Sequence, residues 1–268
     1  MKIAAIQMTS SPELSENIAT ATRLINDAAA TGAGLVLLPE YWSIMGMHEQ
    51  DKTRLAQSPQ AGLMTEFLSG QAALHGIYLI GGTIPLVSPE SDKVFNSTLV
   101  FDRQGNQLAR YDKIHLFGFT KGSESYQEAR SIVAGSEPVS FTMQDETRNY
   151  KVGLSICYDL RFPELYRSFA AVDLLVVPAA FTFTTGSVHW EILLRARAIE
   201  NQCYVLAAAQ TGHHPNGRHT RGHSMLIDPW GRIVAELPEA IGVVIGELDS
   251  NLIDEVRRNL PALQHRVL

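Results

Sequence analysis

Short, unbroken apolar runs that stop at a proline or a charged residue constrain this chain more than any other feature. Leu35-Val36-Leu37-Leu38-Pro39-Glu40 is the clearest of them. Four consecutive aliphatic residues leave no polar face, so the run fits a strand covered on both sides. Residues 3–8, 150–156, 174–178, 204–210 and 243–247 read as further strands. Between the runs lie helical stretches: the Ala-rich 14–31, then 64–75, 163–171 with Pro163 near its first turn, 188–201 and 252–260. Residues 78–85 read as one strand closed by Gly81-Gly82 and Pro85. Residues 95–101 and 108–111 flank a turn at Asp102-Arg103-Gln104-Gly105-Asn106, and 224–228 and 233–236 flank Pro229-Trp230-Gly231. About a dozen strands with interspersed helices predict α/β layers in a single domain, residues 1–268. Over 113–137 the pattern fades into Gly and Ser, which predicts a long surface loop of the kind that often carries function.

Composition narrows the function classes. The chain has 268 residues, 45% apolar and 19% charged. That is enough to bury a core without disulfide or metal support. A net charge of −6 is opposite to a nucleic-acid footprint. No apolar run approaches the ~20 residues that span a bilayer. The N-terminus, Met1-Lys2-Ile3-Ala4-Ala5-Ile6-Gln7-Met8, reads as a strand rather than a signal peptide. Two cysteines, Cys157 and Cys203, are then expected as free thiols in a reducing cytoplasm.

Three polar residues sit at the ends of apolar strands: Glu40, Lys113 and Cys157. In open α/β sheets, ligands bind outside the carboxyl ends of the strands, so these three are candidates to converge. Cys157 closes Val152-Gly153-Leu154-Ser155-Ile156 and precedes a turn, which suits a nucleophile; a buried apolar thiol is the alternative. Cys203 enters an apolar strand and reads as core. A Cys nucleophile needs a base, and none of the nine histidines sits in a Cys-protease signature. Glu40, a carboxylate at the mouth of an apolar strand, offers that base; a solvated strand-end residue is the alternative. Lys113 in a pocket stabilises an oxyanion and favours a neighbouring thiolate; otherwise it is a surface lysine. His115, two residues on, is equally open to a structural role. No G-x-S-x-G, Walker or G-x-G-x-x-G motif occurs. The run His213-His214-Pro215-Asn216-Gly217-Arg218-His219 with His223 invites a metal, but no His–Cys pair has zinc-finger spacing and the run looks like a loop tip.

The three segments together resemble the signatures of the nitrilase superfamily of carbon–nitrogen hydrolases. They are Leu37-Leu38-Pro39-Glu40, Tyr111-Asp112-Lys113-Ile114-His115-Leu116-Phe117 and Cys157-Tyr158-Asp159-Leu160-Arg161-Phe162-Pro163-Glu164-Leu165, in family order. The resemblance runs from the first strand to Leu260 and beyond. It implies a four-layer α-β-β-α sandwich of the nitrilase type. It implies a homodimer or larger assembly packed through helices, with 161–171 and 189–201 as candidate faces. It also implies a second glutamate in the loop after the lysine, at Glu128, with Glu124 as rival. The implied roles are Glu40 as general base, Cys157 as nucleophile, and Lys113 with the backbone N–H of Tyr158 at the oxyanion. Glu128 would orient Lys113 or relay protons. No metal or organic cofactor is implied.

Cys-Tyr-Asp-x-Arg-Phe-Pro-Glu is similar to the Nit-type amidase branch. That branch implies hydrolysis of an α-keto acid amide through a thioester. The candidates are deaminated glutathione, N-(4-oxoglutaryl)-cysteinylglycine, and the ω-amides 2-oxoglutaramate and 2-oxosuccinamate. The stretches 189–200 and 202–210, His223-Ser224-Met225 and Leu263-Gln264-His265-Arg266 favour the first. Ile77-Tyr78-Leu79-Ile80-Gly81-Gly82 and His115-Leu116-Phe117 are shared with the second. A substrate carboxylate calls for a bidentate donor, which makes Arg161 a candidate; an ion pair beside Asp159 or Glu164 is its structural alternative. Phe181, Thr182 and Thr185 follow a strand end as pocket or turn residues. A silent scaffold and a soluble acyltransferase on the same fold are the rivals from other classes.

Overall fold

The computed structural model describes residues 1–122 and 124–267. Its layering is set by the first strand, Lys2–Gln7, whose alternate residues enter two different cores. Ile3 and Ala5 join Leu35, Leu37 and the strand Tyr204–Ala209. Ala4 and Ile6 join Val36, Leu38 and the helical residues Ala21, Leu24 and Ile25. A period of two on a strand with no polar face thus produces a sheet with protein on both sides.

An eight-stranded sheet runs in the order Gly242–Glu247, Lys2–Gln7, Leu35–Leu37, Tyr78–Ile80, Val94–Phe101, Ile84–Val87. Gln107–Asp112 and Ile132–Val133 also pair with Val94–Phe101. A six-stranded sheet runs Ser140–Gln144, Asn149–Leu154, Leu174–Ala179, Tyr204–Ala209, Ser224–Ile227, Ile233–Leu237. Three central strands of each sheet are parallel. The helices Leu14–Ala30 and Leu63–His75 cover the outer face of the first sheet. Pro163–Ser168 and Phe183–Asn201 cover that of the second, through Tyr166, Trp190, Leu194 and Ala198. The result is the four-layer α-β-β-α sandwich. Leu14–Ala30 buries one stripe, Asn17, Ala21, Leu24, Ile25 and Ala28. Burial of each large aliphatic there contributes about 2 kcal/mol relative to exposure.

Several sequence expectations are corrected. Residues 113–137, apart from Ser123 outside the described residues, are not one loop. They hold the ribbon Gly118–Lys121 with Glu124–Gln127, a 3-10 turn at Glu128–Arg130 and the strand Ile132–Val133. The ribbon buries no face, so no apolar period marked it. Residues 78–85 split into two strands at Gly81-Gly82-Thr83. Gly82 has φ 51°, and a side chain there would strike the carbonyls of Leu38 and Pro39. Only glycine lets that bend pack against the backbone leading into Glu40. The predicted helix 163–171 ends at Ser168, while 188–201 starts five residues earlier, at Phe183. Among the described residues no helix is long and apolar enough to cross a membrane.

Candidate active site

Glu40, Lys113, Glu128 and Cys157 meet between the two sheets, beyond the ends of their strands. Glu40 lies three residues past Leu35–Leu37, held by Leu38 N donating to Ile80 O (3.0 Å) and Tyr41 N donating to Thr83 Oγ1 (2.9 Å). Lys113 directly follows Gln107–Asp112, and its amide donates to Asn96 O (3.0 Å). Cys157 follows Asn149–Leu154 by three residues and opens a 3-10 turn, Cys157–Arg161. Tyr41 and Cys157 have φ values of 57° and 48°. Two non-glycine residues in the left-handed region, next to and at reactive groups, are strain that the surrounding structure holds in place.

Asp159 ties two of these segments together. Its carboxylate accepts from Ile156 N (2.8 Å) and Tyr111 Oη (2.7 Å), and from His115 N (3.0 Å), with His115 Nδ1 at 2.7 Å. Tyr111 and His115 bracket Lys113, and Ile156 precedes Cys157. One buried carboxylate therefore sets the lysine segment against the cysteine turn.

The ammonium of Lys113 is fully buried. It donates to Glu40 Oε1 (2.8 Å) and to Glu128 Oε1 and Oε2 (3.0 and 2.8 Å). Glu40 Oε1 also accepts from Asn96 Nδ2 (2.9 Å), and Oε2 from the backbone N–H of Ala180 (2.9 Å). Glu128 also accepts from Tyr41 Oη (2.8 Å) and Phe117 N (2.7 Å). Burial alone would drive Lys113 toward neutrality, but the Glu128 and Glu40 charges outweigh it and hold its pKa above the ordinary range. Burial likewise works against the Glu128 anion; Lys113 and the Phe117 N–H win, and its pKa is lowered. For Cys157, burial first and the Glu40 charge second raise the pKa well above its ordinary value, with Lys113 opposing. Lys113 favours the thiolate, as the sequence suggests, but burial and the Glu40 charge outweigh it. The buried thiol therefore keeps its proton at rest.

Glu128 is the glutamate on Lys113. Its rival Glu124 instead accepts from Thr184 Oγ1 (2.7 Å) and Tyr126 Oη (3.3 Å). Cys157, Tyr158, Phe181, Thr182 and Thr185 line one narrow pocket with Glu128. Thr182 is also structural: its Oγ1 caps the helix Phe183–Asn201 by accepting from Thr185 N (3.3 Å). Arg161 does not line that pocket. Its guanidinium lies over the rings of Phe181 and Tyr158, and Nη1 sits 3.2 Å from His189 Nδ1. The ion pair with Asp159 or Glu164 is likewise not formed among the described residues. Arg218 lines the pocket, and sequence reasoning passed over it inside the histidine run. Asn96 and the Ala180 N–H were missed too, because one lies mid-strand and the other is a backbone group. Of the histidines in that run, His214 is buried between Ser10 O (2.9 Å) and Thr220 Oγ1 (2.8 Å), and His213 stacks on His219. Among the described residues no three His, Cys, Asp or Glu side chains are grouped to hold a metal ion.

The family model for carbon–nitrogen hydrolases matches residues 2–258. A deaminated glutathione amidase from Synechocystis sp. is 44% identical over 269 residues, 98% of this chain and 97% of that protein. The NitFhit structure from C. elegans superposes with a TM-score of 0.89 at 38% identity, over 99% of this chain; the chain spans 65% of that longer protein. Nit3 of Saccharomyces cerevisiae, described as a member of branch 10 of the nitrilase superfamily, gives 0.87 at 30% identity, over 100% of this chain and 97% of that one.

Proposed function

The chain belongs to the carbon–nitrogen hydrolase family and is an amidase, and from that premise we propose that it splits deaminated glutathione into 2-oxoglutarate and cysteinylglycine. The observation that carries the choice of substrate is the 44% identity, along nearly the whole chain, to a deaminated glutathione amidase. The buried cluster of Glu40, Lys113, Glu128 and Cys157 supplies the chemistry.

In this reading Glu40 Oε takes the Cys157 Sγ proton, and the thiolate attacks the amide carbonyl carbon. The oxyanion is held by the Lys113 ammonium and by the Tyr158 N–H, which lies in the first turn of a 3-10 segment, where donors lack partners within the turn. Collapse breaks the C–N bond. The proton held by Glu40 passes to the leaving nitrogen, so cysteinylglycine departs as a neutral amine and a thioester remains on Cys157. Glu40 then takes a proton from water, hydroxide adds to the thioester, and the thiolate leaves and is reprotonated by Glu40. Glu128 keeps Lys113 charged and in place throughout.

The test is 2-oxoglutarate release from deaminated glutathione and from 2-oxoglutaramate at equal concentration, with Cys157→Ala as control. We expect a kcat/KM at least tenfold larger for the first, and no turnover by a folded Cys157→Ala. A preference for 2-oxoglutaramate would make the protein an ω-amidase instead. Wild-type rates in Cys157→Ala would remove the nucleophile assignment. Products that appear only when an amine acceptor is added would indicate acyl transfer.

We further propose a homodimer in a reducing cytoplasm. Both cysteines are free thiols, and the helix Phe183–Asn201 turns Val188, Ile192 and Ile199 outward.

A further inference from the structure

We propose that Arg218 is the residue by which this site selects amides that carry a carboxylate. The inference rests on the amidase reading of the same pocket and names the substrate feature it recognises. Arg218 stands in the turn between the short strands Thr211–His213 and His219–Arg221. Its guanidinium carbon lies 4.9 Å from the Tyr126 ring and 5.8 Å from the Tyr41 ring. Those aromatic rings flank the group but satisfy none of its N–H donors. Nε is buried and has no hydrogen-bond partner among the described residues. Nη1 finds only Met45 Sδ, at 3.9 Å.

A half-buried guanidinium in such surroundings normally carries a carboxylate, because its desolvation is otherwise uncompensated. Glu128, which lines the same pocket, is already committed to Lys113, Tyr41 and Phe117. No carboxylate lies within ion-pair distance of Arg218 among the described residues, whereas Arg110, Arg148, Arg195, Arg197 and Arg257 each have one. Arg218 is thus an oriented two-pronged donor with its partner missing, a geometry suited to a carboxylate and poorly served by a lysine.

Its position makes that partner a substrate. Arg218 lines the narrow pocket holding Cys157, and it also lines a neighbouring cavity of about 400 Å³ with Lys52 and Asn216 and with Glu49 and Glu124, the first held by Lys52 and the second by Thr184 and Tyr126. A carboxylate held there keeps the rest of a short molecule beside the thiol. Deaminated glutathione has two carboxylates, one on the 2-oxo acyl arm and one on the glycine of the leaving arm. Either presents the same chemistry to Arg218.

Calorimetric titration of the intact protein with each product separates the two. 2-Oxoglutarate reports the acyl carboxylate and cysteinylglycine the leaving-arm carboxylate; dimethyl 2-oxoglutarate is the uncharged comparator. In Arg218→Gln the affinity for one of the two acids should fall about tenfold or more, as expected for losing a charge-assisted bidentate contact. Arg218→Lys should fall between that variant and wild type. The dimethyl ester should bind equally weakly to all three. Unchanged affinity for both acids overturns the proposal, and so does a parallel loss of ester binding, which would mark Arg218 as a packing residue. Because the readout is product affinity, failure to hydrolyse deaminated glutathione would refute the proposed substrate and leave the Arg218 test in force.

Discussion

The Lys113 ammonium lies within 3.0 Å of three oxygens of the two glutamates beside it, two of them on the single carboxylate of Glu128. One cation between two buried carboxylates leaves the cluster with a net negative charge. Burial first, and that charge second, keep the Cys157 thiol protonated at rest. Glu128 receives hydrogen bonds from Lys113, Tyr41 and Phe117, and both of its oxygens are used. Glu128→Gln exchanges a carboxylate for an amide that must point its NH2 at either the Lys113 ammonium or the Phe117 N–H. Breaking a buried pair in this way should cost about 3 kcal/mol of stability, and kcat should fall at least a hundredfold as Lys113 loses its fixed position. Urea unfolding and steady-state rates check the two effects. Near-wild-type values in both would mean that Glu128 neither anchors Lys113 nor tunes it.

At the scale of elements, the site depends on short segments pinned by single side chains. Asp159 pins the cysteine turn to the lysine segment. His214 pins the ribbon carrying Arg218 to Ser10, just past the first strand. His214 is buried, and burial is the main cause that lowers its pKa to about 4. Its neutral ring is therefore the folded form. In the unfolded chain it titrates near its ordinary 6.5. Below about pH 6.5 the unfolded state takes up the proton first, so the folded state loses ground until about pH 4 and regains it as pH rises. The slope is at most about 1.4 kcal/mol per pH unit, or about 2 kcal/mol between pH 6.5 and 5. Denaturant midpoints measured across this range should fall more steeply for wild type than for His214→Asn. Identical slopes would refute a buried neutral His214.

For the molecule as a whole, the outer helix layer is unfinished. Val188, Ile192 and Ile199 are 60%, 68% and 51% exposed on the helix Phe183–Asn201 and follow helical spacing along one side. The short helix Pro163–Ser168, the other face suggested by resemblance, buries its Leu165 and Tyr166 inward and offers little apolar surface. The proposed dimer therefore uses the longer helix. Ile192→Glu should convert it to a monomer in light scattering at micromolar concentration and lower its Tm; a wild-type monomer under those conditions would dispose of the dimer. What the sequence by itself determined is the part governed by local chemistry. Strands with no polar face had to lie between layers, and Glu40 and Cys157 were marked because each follows such an apolar run; the strand before Lys113, Gln107–Asp112, proved mostly polar and only partly buried. The ribbon at Gly118–Lys121 escaped because it buries no face, and Arg218 escaped because its meaning lies in what surrounds it. Pairing Glu128 rather than Glu124 with Lys113, setting Arg161 beside His189, and leaving Arg218 without an ion-pair partner among the described residues were decided only by the tertiary structure. Each depends on the distance between groups far apart in the chain, and Coulomb and hydrogen-bond energies depend on that distance rather than on sequence separation.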